Sequence, residues 1–307
     1  MSDPFRLLMI AAMYENGGNT TQRFLDGHPS LFVYPFESQI GTRFVNDALS
    51  SMFPVKYRWP VFPLDATPLQ DYRAIIDEEG KVRSRTPEVS KFRHRPFQMS
   101  DDERCDIYQN RIQASGRSRP NNVAAFFRAT FDSWKDYRRS GEERIYVGYS
   151  PIIVVDGGTI LSELPGAHVL HVVRNPWSAY ADTKKRPVPM SLSDYMNAWV
   201  INQYHALLFR EKFSDRLHII RAEDVMGTSW ETLAPVCESM GIAPSEALRR
   251  PSWNGQSLEE IAPWGTIRKA TPETNRATAA ELSDAEQGEV RSRAWQYLEV
   301  FDYKSFV

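Results

Sequence analysis

Apolar and polar residues are grouped along the chain in short blocks that predict strands and helices in alternation. Apolar runs of strand length, too short to span a membrane, occur at 7–13, 31–34, 144–149, 168–173 and 217–220. Segments with helical character occur at 20–25, 37–52, 156–164, 175–185, 191–213 and 229–240. This alternation indicates an α/β domain with a mainly parallel sheet, whose ligands bind at the carboxyl ends of the strands.

One long stretch, from about 53 to 140, interrupts the alternation. Three prolines predict a loop at 53–66, and apolar residues at three-to-four spacing predict helices beyond it. No repeat or low-complexity tract divides the chain, so we expect one domain over residues 1–307 with a helical insertion at about 53–140. Its basic segment 81–95 is either a solvated face or a flap over a ligand.

Composition excludes several classes of protein. The 307 residues are 42% hydrophobic and carry a net charge of -2, so there is no overall basic footprint for nucleic acid. Cys105 and Cys237 are far apart and lack CxxC partners, and no His/Asp/Glu/Cys cluster has metal-ligand spacing. The first residues do not resemble a secretory leader. We therefore expect a soluble cytoplasmic protein without a metal site or a transmembrane segment.

The stretch 5–29, FRLLMIAAMYENGGNTTQRFLDGHP, joins a predicted strand to a helix through a glycine-rich turn. The glycines permit positive φ, and the helix after them offers free N–H groups and the positive end of its dipole to an anion. We interpret residues 17–21 as a phosphate or sulfate seat. A tight turn before a buried helix fits the same residues, since neither G-x-x-x-x-G-K-[ST] nor G-x-G-x-x-G is present.

A second strand-to-helix junction, VLHVVRNPWSAYADTKKR at 169–186, has the same form. Arg174 comes directly after the predicted strand, and Ser178 stands in the first turn of the next helix. The planar guanidinium of arginine suits bidentate phosphate binding. An arginine that only caps a helix would look the same when taken alone.

Together these motifs resemble the sulfotransferases that use 3′-phosphoadenosine 5′-phosphosulfate (PAPS). FLDGHP at 24–29 is similar to the end of the family's 5′-phosphosulfate loop, and VVRNP at 172–176 to its V-R-(D/N)-P signature, which binds the 3′-phosphate. LHIIRAEDV at 217–225 and GTIRKATPE at 265–273 resemble its V-x-R-Y-E-D-L stretch and its closing loop. Departures from the family pattern suggest a divergent bacterial type, closer to the carbohydrate and tyrosylprotein branch.

The resemblance implies a P-loop-like three-layer fold, with a central, mainly parallel sheet flanked by helices. It implies sulfuryl transfer from PAPS to a hydroxyl of a small metabolite, glycan or lipid, with PAP (3′-phosphoadenosine 5′-phosphate) as product. It also places Glu37 as general base, because related enzymes use a Glu at about this offset from the HP turn; the alternative is that Glu37 caps a helix. The donor-binding residues it implies are Gly17, Gly18, Asn19, Thr20, Thr21, Arg174, Ser178, Arg268 and Lys269.

Three departures from the family pattern concern charge. Counted without gaps from FLDGHP, Glu15 aligns with the family's phosphate-binding Arg, so it must turn outward or pair with a base such as Arg23 or Arg43. Asp182 stands at the position of a phosphate-binding Ser of the family, and Ser178 or Thr183 could take the role of that Ser. Tyr149-Ser150-Pro151 replaces a Lys-x-Pro, so the catalytic Lys is missing there, and Ser150, Arg43 or Lys135 would have to supply the donor group.

Two other functions remain open from the sequence. One is a P-loop-like nucleotide kinase, which the absent Walker Lys disfavours. The other is a non-catalytic module that binds the nucleotide but has lost transfer, which the three departures would explain.

Overall fold

The computed structural model describes residues 4–258 and 272–306, and its centre is a five-stranded sheet. All four strand pairings are parallel, and the order is β2-β3-β1-β4-β5. The strands are β1 (Leu7–Ala11), β2 (Leu31–Val33), β3 (Ile145–Tyr149), β4 (Ala167–Val173) and β5 (Leu217–Arg221). The α/β class predicted from the sequence is confirmed.

Helices connect the strands and form the insertion. Before β3 they are α1 (Gly18–Leu25), α2 (Pro68–Ala74), α3 (Glu78–Arg85), α4 (Asp101–Ser115) and α5 (Arg119–Ser133). After β3 they are α6 (Gly157–Glu163), α7 (Pro176–Lys184), α8 (Leu192–Lys212), α9 (Ala222–Gly227), α10 (Ser229–Ser239), α11 (Pro272–Ala279) and α12 (Asp284–Leu298). In the described part of the chain, no helix has both the length and the apolar character required to cross a bilayer.

The sheet is buried on both faces, as its continuous apolar strands predict. Leu7 and Met9 of β1 pack in a core that includes side chains of α5, α6 and α8. Leu8 and Ile10 point to the opposite face, where α1, α9 and α10 cover them. The result is three layers, helix on sheet on helix, with the carboxyl ends of the strands at one edge.

The insertion shares its core with the sheet and is anchored by buried charge. Arg104 of α4 is fully buried and bonds Asp77 at 2.8 Å, Asp101 at 2.8 Å and the Tyr72 hydroxyl at 2.7 Å. Asp77 also accepts from the Tyr34 hydroxyl at 2.6 Å, directly after β2. These bonds join three helices of the insertion to the sheet. That residues 1–307 form a single domain remains a prediction.

The helix predicted at 37–52 is wrong. Residues 34–54, all of them described, contain no α-helix. The chain instead continues along β3, since the Tyr34 N–H donates to the Val147 carbonyl at 2.9 Å and the Ser38 N–H to the Tyr149 carbonyl at 2.8 Å. Gly41 then passes so close to other backbone that an added Cβ would lie 2.6 Å from the Arg58 oxygen. Backbone pairing of this kind has no signature in local periodicity.

Candidate active site at the strand ends

The two predicted junctions meet because β1 and β4 are neighbours in the sheet. Ala11 pairs with His171, so both strands end at the same edge. Asn16 connects the two junctions: its Oδ1 accepts from the Arg174 backbone N–H at 3.0 Å, and its Nδ2 donates to the Tyr195 hydroxyl at 3.3 Å. Asn16 is buried, and it was not among the residues predicted from the sequence.

The turn after β1 presents the start of α1 to this edge. Gly17 is the N-cap residue with φ 86°, a left-handed conformation that favours glycine. Lacking a side chain, it leaves the first N–H groups of α1 without an acceptor from the N-cap residue. Thr21 closes the first turn by donating its hydroxyl to the Gly17 carbonyl at 3.0 Å. Asn19 lies in the same turn, and its Oδ1 has no hydrogen-bond partner among the described residues.

Arg174 projects from the end of β4 and donates through all three of its side-chain nitrogens. Its Nη1 donates to Asp182 Oδ2 at 2.8 Å and to the Glu15 carbonyl at 2.9 Å. Its Nε and Nη2 donate to Asn275 Oδ1 at 3.1 and 2.8 Å. The Asp182 that replaces the family's Ser is therefore the ion-pair partner of Arg174.

Ser178 and Thr183, the two possible substitutes for that Ser, both have bonded hydroxyls. Ser178 is fully buried and donates to the Asn275 carbonyl at 2.7 Å, and Thr183 donates to the Ala179 carbonyl at 2.7 Å. Asn275 of α11 thus contacts both Arg174 and Ser178. Its own Nδ2 is buried and has no acceptor among the described residues.

The VVRNP and RAEDV motifs are joined through Asn175. Its side-chain oxygen caps α7 by accepting from the Ser178 N–H at 2.8 Å, as an N-cap Asn does. Its backbone N–H and Nδ2 donate to Glu223 Oε1 at 3.0 and 2.8 Å. Glu223 Oε2 accepts from the Tyr303 hydroxyl at 2.8 Å. The motif Asn and Glu therefore fix the geometry of the β4–α7 junction.

Glu37 lies beyond β2 on the same edge. It is half-buried, and its Oε2 accepts from Gln39 Nε2 at 3.1 Å. Its charge reaches neighbouring tyrosines: burial, and then Glu37, raise the pKa of Tyr57 to about 12. Burial and then Glu37 also raise the pKa of Tyr149, which ends β3. Because residues 34–54 contain no α-helix, the structure does not support the alternative that Glu37 caps one.

Two of the cations suggested by the sequence, Arg23 and Lys135, make other contacts. Arg23, one proposed partner of Glu15, is buried with its guanidinium carbon 5.0 Å from the Trp253 ring centroid. Lys135, one possible replacement for the missing Lys, forms an exposed ion pair with Glu103. The structure shows instead that Arg186 acts on Glu15: burial raises the pKa of the Glu15 carboxyl, and the charge of Arg186 opposes it.

Two of the predicted donor-binding residues, Arg268 and Lys269, lie outside the described residues. The other seven are at one edge of the sheet, at the N-cap and first residues of α1 or at the β4–α7 junction. Asn16, Arg186, Glu223 and Asn275 are additional residues of this edge. Asn16 and Asn275 bond to Arg174 across 158 and 101 residues of chain, so no local motif could have identified them. Glu223 lies in the RAEDV motif, but its bond to Tyr303, 80 residues away, is set by tertiary packing.

A family model described as "Sulfotransferase family" matches residues 41–246. The chain belongs to the sulfotransferase family. The match covers about two thirds of the chain and includes the β4–α7 junction and the RAEDV stretch, and it begins four residues after Glu37. It supports sulfuryl transfer as the general activity of this sulfotransferase, and the family implies a sulfate donor and a small-molecule acceptor.

The chain is also similar to solved structures of sulfotransferases from bacteria. The sulfotransferase domain of the olefin synthase from Synechococcus PCC 7002 is 15% identical, with 97% of this chain and 96% of that chain covered and a TM-score of 0.49. Sulfotransferase STF9 from Mycobacterium avium is 10% identical, with 99% of this chain and 78% of that chain covered and a TM-score of 0.47. The sulfotransferase from Alicyclobacillus acidocaldarius is 14% identical, with 96% of this chain and 100% of that chain covered and a TM-score of 0.41. No curated protein matches this chain.

Proposed function

We propose that this sulfotransferase moves a sulfuryl group from PAPS to a hydroxyl of a small metabolite, glycan or lipid, with Glu37 as general base. The observation that carries the proposal is the adjacency of the β1 and β4 ends, which brings residues 17–21 and Arg174 to one edge. Glu37 lies on the same edge. A cytoplasmic location belongs to the same proposal.

The residues at this edge fit the two phosphate positions of the donor. The turn at Gly17 and the first N–H groups of α1 suit the 5′-phosphosulfate. Arg174 and the buried Nδ2 of Asn275, which has no acceptor in the described part of the chain, suit the 3′-phosphate, because each supplies N–H donors in the same region. Asp182 opposes binding there, since a second anion lies against the same guanidinium.

Bound PAPS would supply an activated sulfuryl group, whose S–O bond to the 5′-phosphate breaks as a new S–O bond to the acceptor oxygen forms and PAP leaves. Glu37 would take the proton of the acceptor hydroxyl as that bond forms. Gln39 orients the carboxylate through Oε2, which leaves Oε1 for the acceptor. The N-terminus of α1 would stabilise the negative charge on the departing phosphate.

The proposal is tested with the variant Glu37→Gln. We expect turnover of labelled PAPS, measured over a panel of hydroxyl acceptors, to fall by about 10²–10⁴-fold, the usual contribution of a general base. Affinity for PAP, measured by calorimetry, should stay within about twofold because Glu37 is assigned to the acceptor. Glu78→Gln is the matched control, since Glu78 also raises the pKa of Tyr57 but forms an exposed ion pair with Lys56.

Wild-type turnover in Glu37→Gln would remove Glu37 as the base. A thermal shift by PAP, absent with ATP and NAD, is expected of the wild type, and its absence would contradict the choice of donor. Binding of PAP without transfer to any acceptor would favour the non-catalytic module, which the Arg174–Asp182 ion pair makes a specific alternative.

A further inference from the structure

Arg186 is a cation at the strand-end edge to which neither the motifs nor the resemblance assigns a role. It stands two positions after the last residue of α7, and its guanidinium carbon lies 4.6 Å from the centroid of the Tyr14 ring. This is within the range of a cation–π contact. Since Tyr14 is in the loop that leads from β1 to Gly17, Arg186 lies against the loop that enters the proposed sulfate seat.

Arg186 and Glu37 both act on the same group of side chains. The Tyr14 and Tyr57 rings meet edge to face with centroids 5.8 Å apart, and the Tyr149 hydroxyl donates to the Ala12 carbonyl at 3.4 Å. The side chains in this group are Tyr14, Glu15, Tyr57 and Tyr149. Burial is the first cause of the raised pKa of each of them, and in each case Glu37 raises and Arg186 lowers the pKa.

Among the described residues, Arg186 has no direct ion-pair partner. Its two basic neighbours in sequence are paired, Lys184 with Glu286 at 2.6 Å and Lys185 with Glu281 at 2.5 Å. Within residues 4–258 and 272–306, no carboxylate lies within ion-pair distance of Arg186. A half-buried guanidinium of this kind, against the loop that leads into α1, favours an anionic ligand.

We infer that Arg186 binds the sulfuryl oxygens during transfer and so replaces the Lys that is missing at Tyr149-Ser150-Pro151. The inference rests on the proposed function and names a catalytic residue within it. The guanidinium lies against the loop that leads to the α1 seat, and its charge acts on the same side chains as Glu37, so it is close to the path from donor to acceptor. Fixed N–H donors at that place stabilise charge on the transferring group without reorganisation.

The experiment compares Arg186→Gln and Arg186→Lys with Lys184→Gln, a matched control that removes a positive charge from the end of α7 where it is paired and exposed. We expect Arg186→Gln to lower kcat by about 10²–10³-fold, as loss of one transition-state donor does. PAPS affinity should fall more than PAP affinity, because PAP has no sulfuryl group. Arg186→Lys should recover part of the activity, and Lys184→Gln should match the wild type.

Wild-type turnover in a folded Arg186→Gln variant would overturn the inference, as would an equal loss of PAP and PAPS affinity. A role limited to neutralising Glu15 is tested with the double variant Glu15→Gln/Arg186→Gln: restored activity there would also overturn it. Folding is checked by circular dichroism and the thermal midpoint. If the wild type neither binds PAP nor transfers sulfate, the proposed function fails, and this result is distinct from a failure confined to the Arg186 variants.

Discussion

Asp182 stands where the resemblance expects a phosphate-binding Ser, and its carboxylate is 2.8 Å from Arg174 Nη1. A phosphate that reaches Arg174 therefore meets an anion that is already bound there. Two unit charges about 5 Å apart repel by around 3 kcal/mol at an effective dielectric near 20, and solvent reduces this for a partly exposed Asp. The carboxylate thus weakens the seat that Arg174 provides.

We predict that Asp182→Ser tightens PAP binding by about tenfold or more, because it removes this repulsion and releases one guanidinium N–H of Arg174. Titration calorimetry of PAP measures the change. Glu281→Gln is the matched control, since Glu281 pairs with Lys185, the second cation that Asp182 contacts. Equal or weaker PAP binding by Asp182→Ser would mean that the Asp182 carboxylate positions Arg174 rather than competing with the ligand.

The candidate site shows which residues a sequence can reveal. Gly17 and Arg174 come after buried strands, so their chain position alone places them at a strand end. The partners of Arg174 were not predictable in the same way: Asp182 stands near the end of α7, and Asn275 is 101 residues away on a helix that the sequence pattern did not predict. The local sequence pattern therefore predicts which residues lie at the carboxyl ends of the strands, whereas their hydrogen-bond partners depend on tertiary packing.

At the scale of elements, prediction was accurate where burial and periodicity agreed. All five strands of the sheet lie within or beside the predicted apolar runs, because parallel strands buried on both faces are continuously apolar. The predicted helix at 37–52 failed because 34–38 bonds to β3, a pairing over about 110 residues that local spacing does not record. The short α9, directly after β5, was also missed.

The start of α1 gives an element-scale prediction. Gly18 packs against β3 and the end of β1 so closely that an added Cβ would lie 2.4 Å from the Tyr149 ring and 2.7 Å from the Ala12 Cβ. Gly18→Ala should therefore destabilise the protein by about 1–3 kcal/mol, the usual cost of overpacking. Gly288→Ala in α12 is the matched control, because an added Cβ there has nothing within 4 Å.

Chemical denaturation followed by circular dichroism measures both glycine variants. Gly288→Ala should gain up to about 1 kcal/mol from helix propensity, so the two alanines are expected to change the free energy of unfolding in opposite directions. A Gly18→Ala variant as stable as the wild type would show that Tyr149 moves aside. The β1–α1 junction would then be less rigid than this packing indicates.

At the scale of the whole molecule, the stability depends on pH through His171, a histidine buried in the sheet whose neutral form is favoured. His171 of β4 is fully buried and its Nε2 lies 2.8 Å from Gln203 Oε1 of α8. Burial lowers its pKa from 6.5 to about 4, against the smaller opposing effect of Gln203. Since the unfolded chain binds this proton more readily, the contribution of neutral His171 to stability is fully present above pH 6.5 and is lost as the pH falls toward 4.

We predict that His171 lowers the free energy of unfolding by about 2 kcal/mol as the pH falls from about 7.5 to 5, because the unfolded chain binds its proton more tightly than the folded protein does. Denaturant unfolding at several pH values should give a flatter pH profile for His171→Gln than for the wild type, whatever the stability of the variant at neutral pH. His94→Gln is the matched control for the substitution, because His94 is an exposed histidine outside the sheet. The same slope in wild type and His171→Gln would show that folding does not lower the pKa of His171, so that the imidazole accepts its proton within the folded protein.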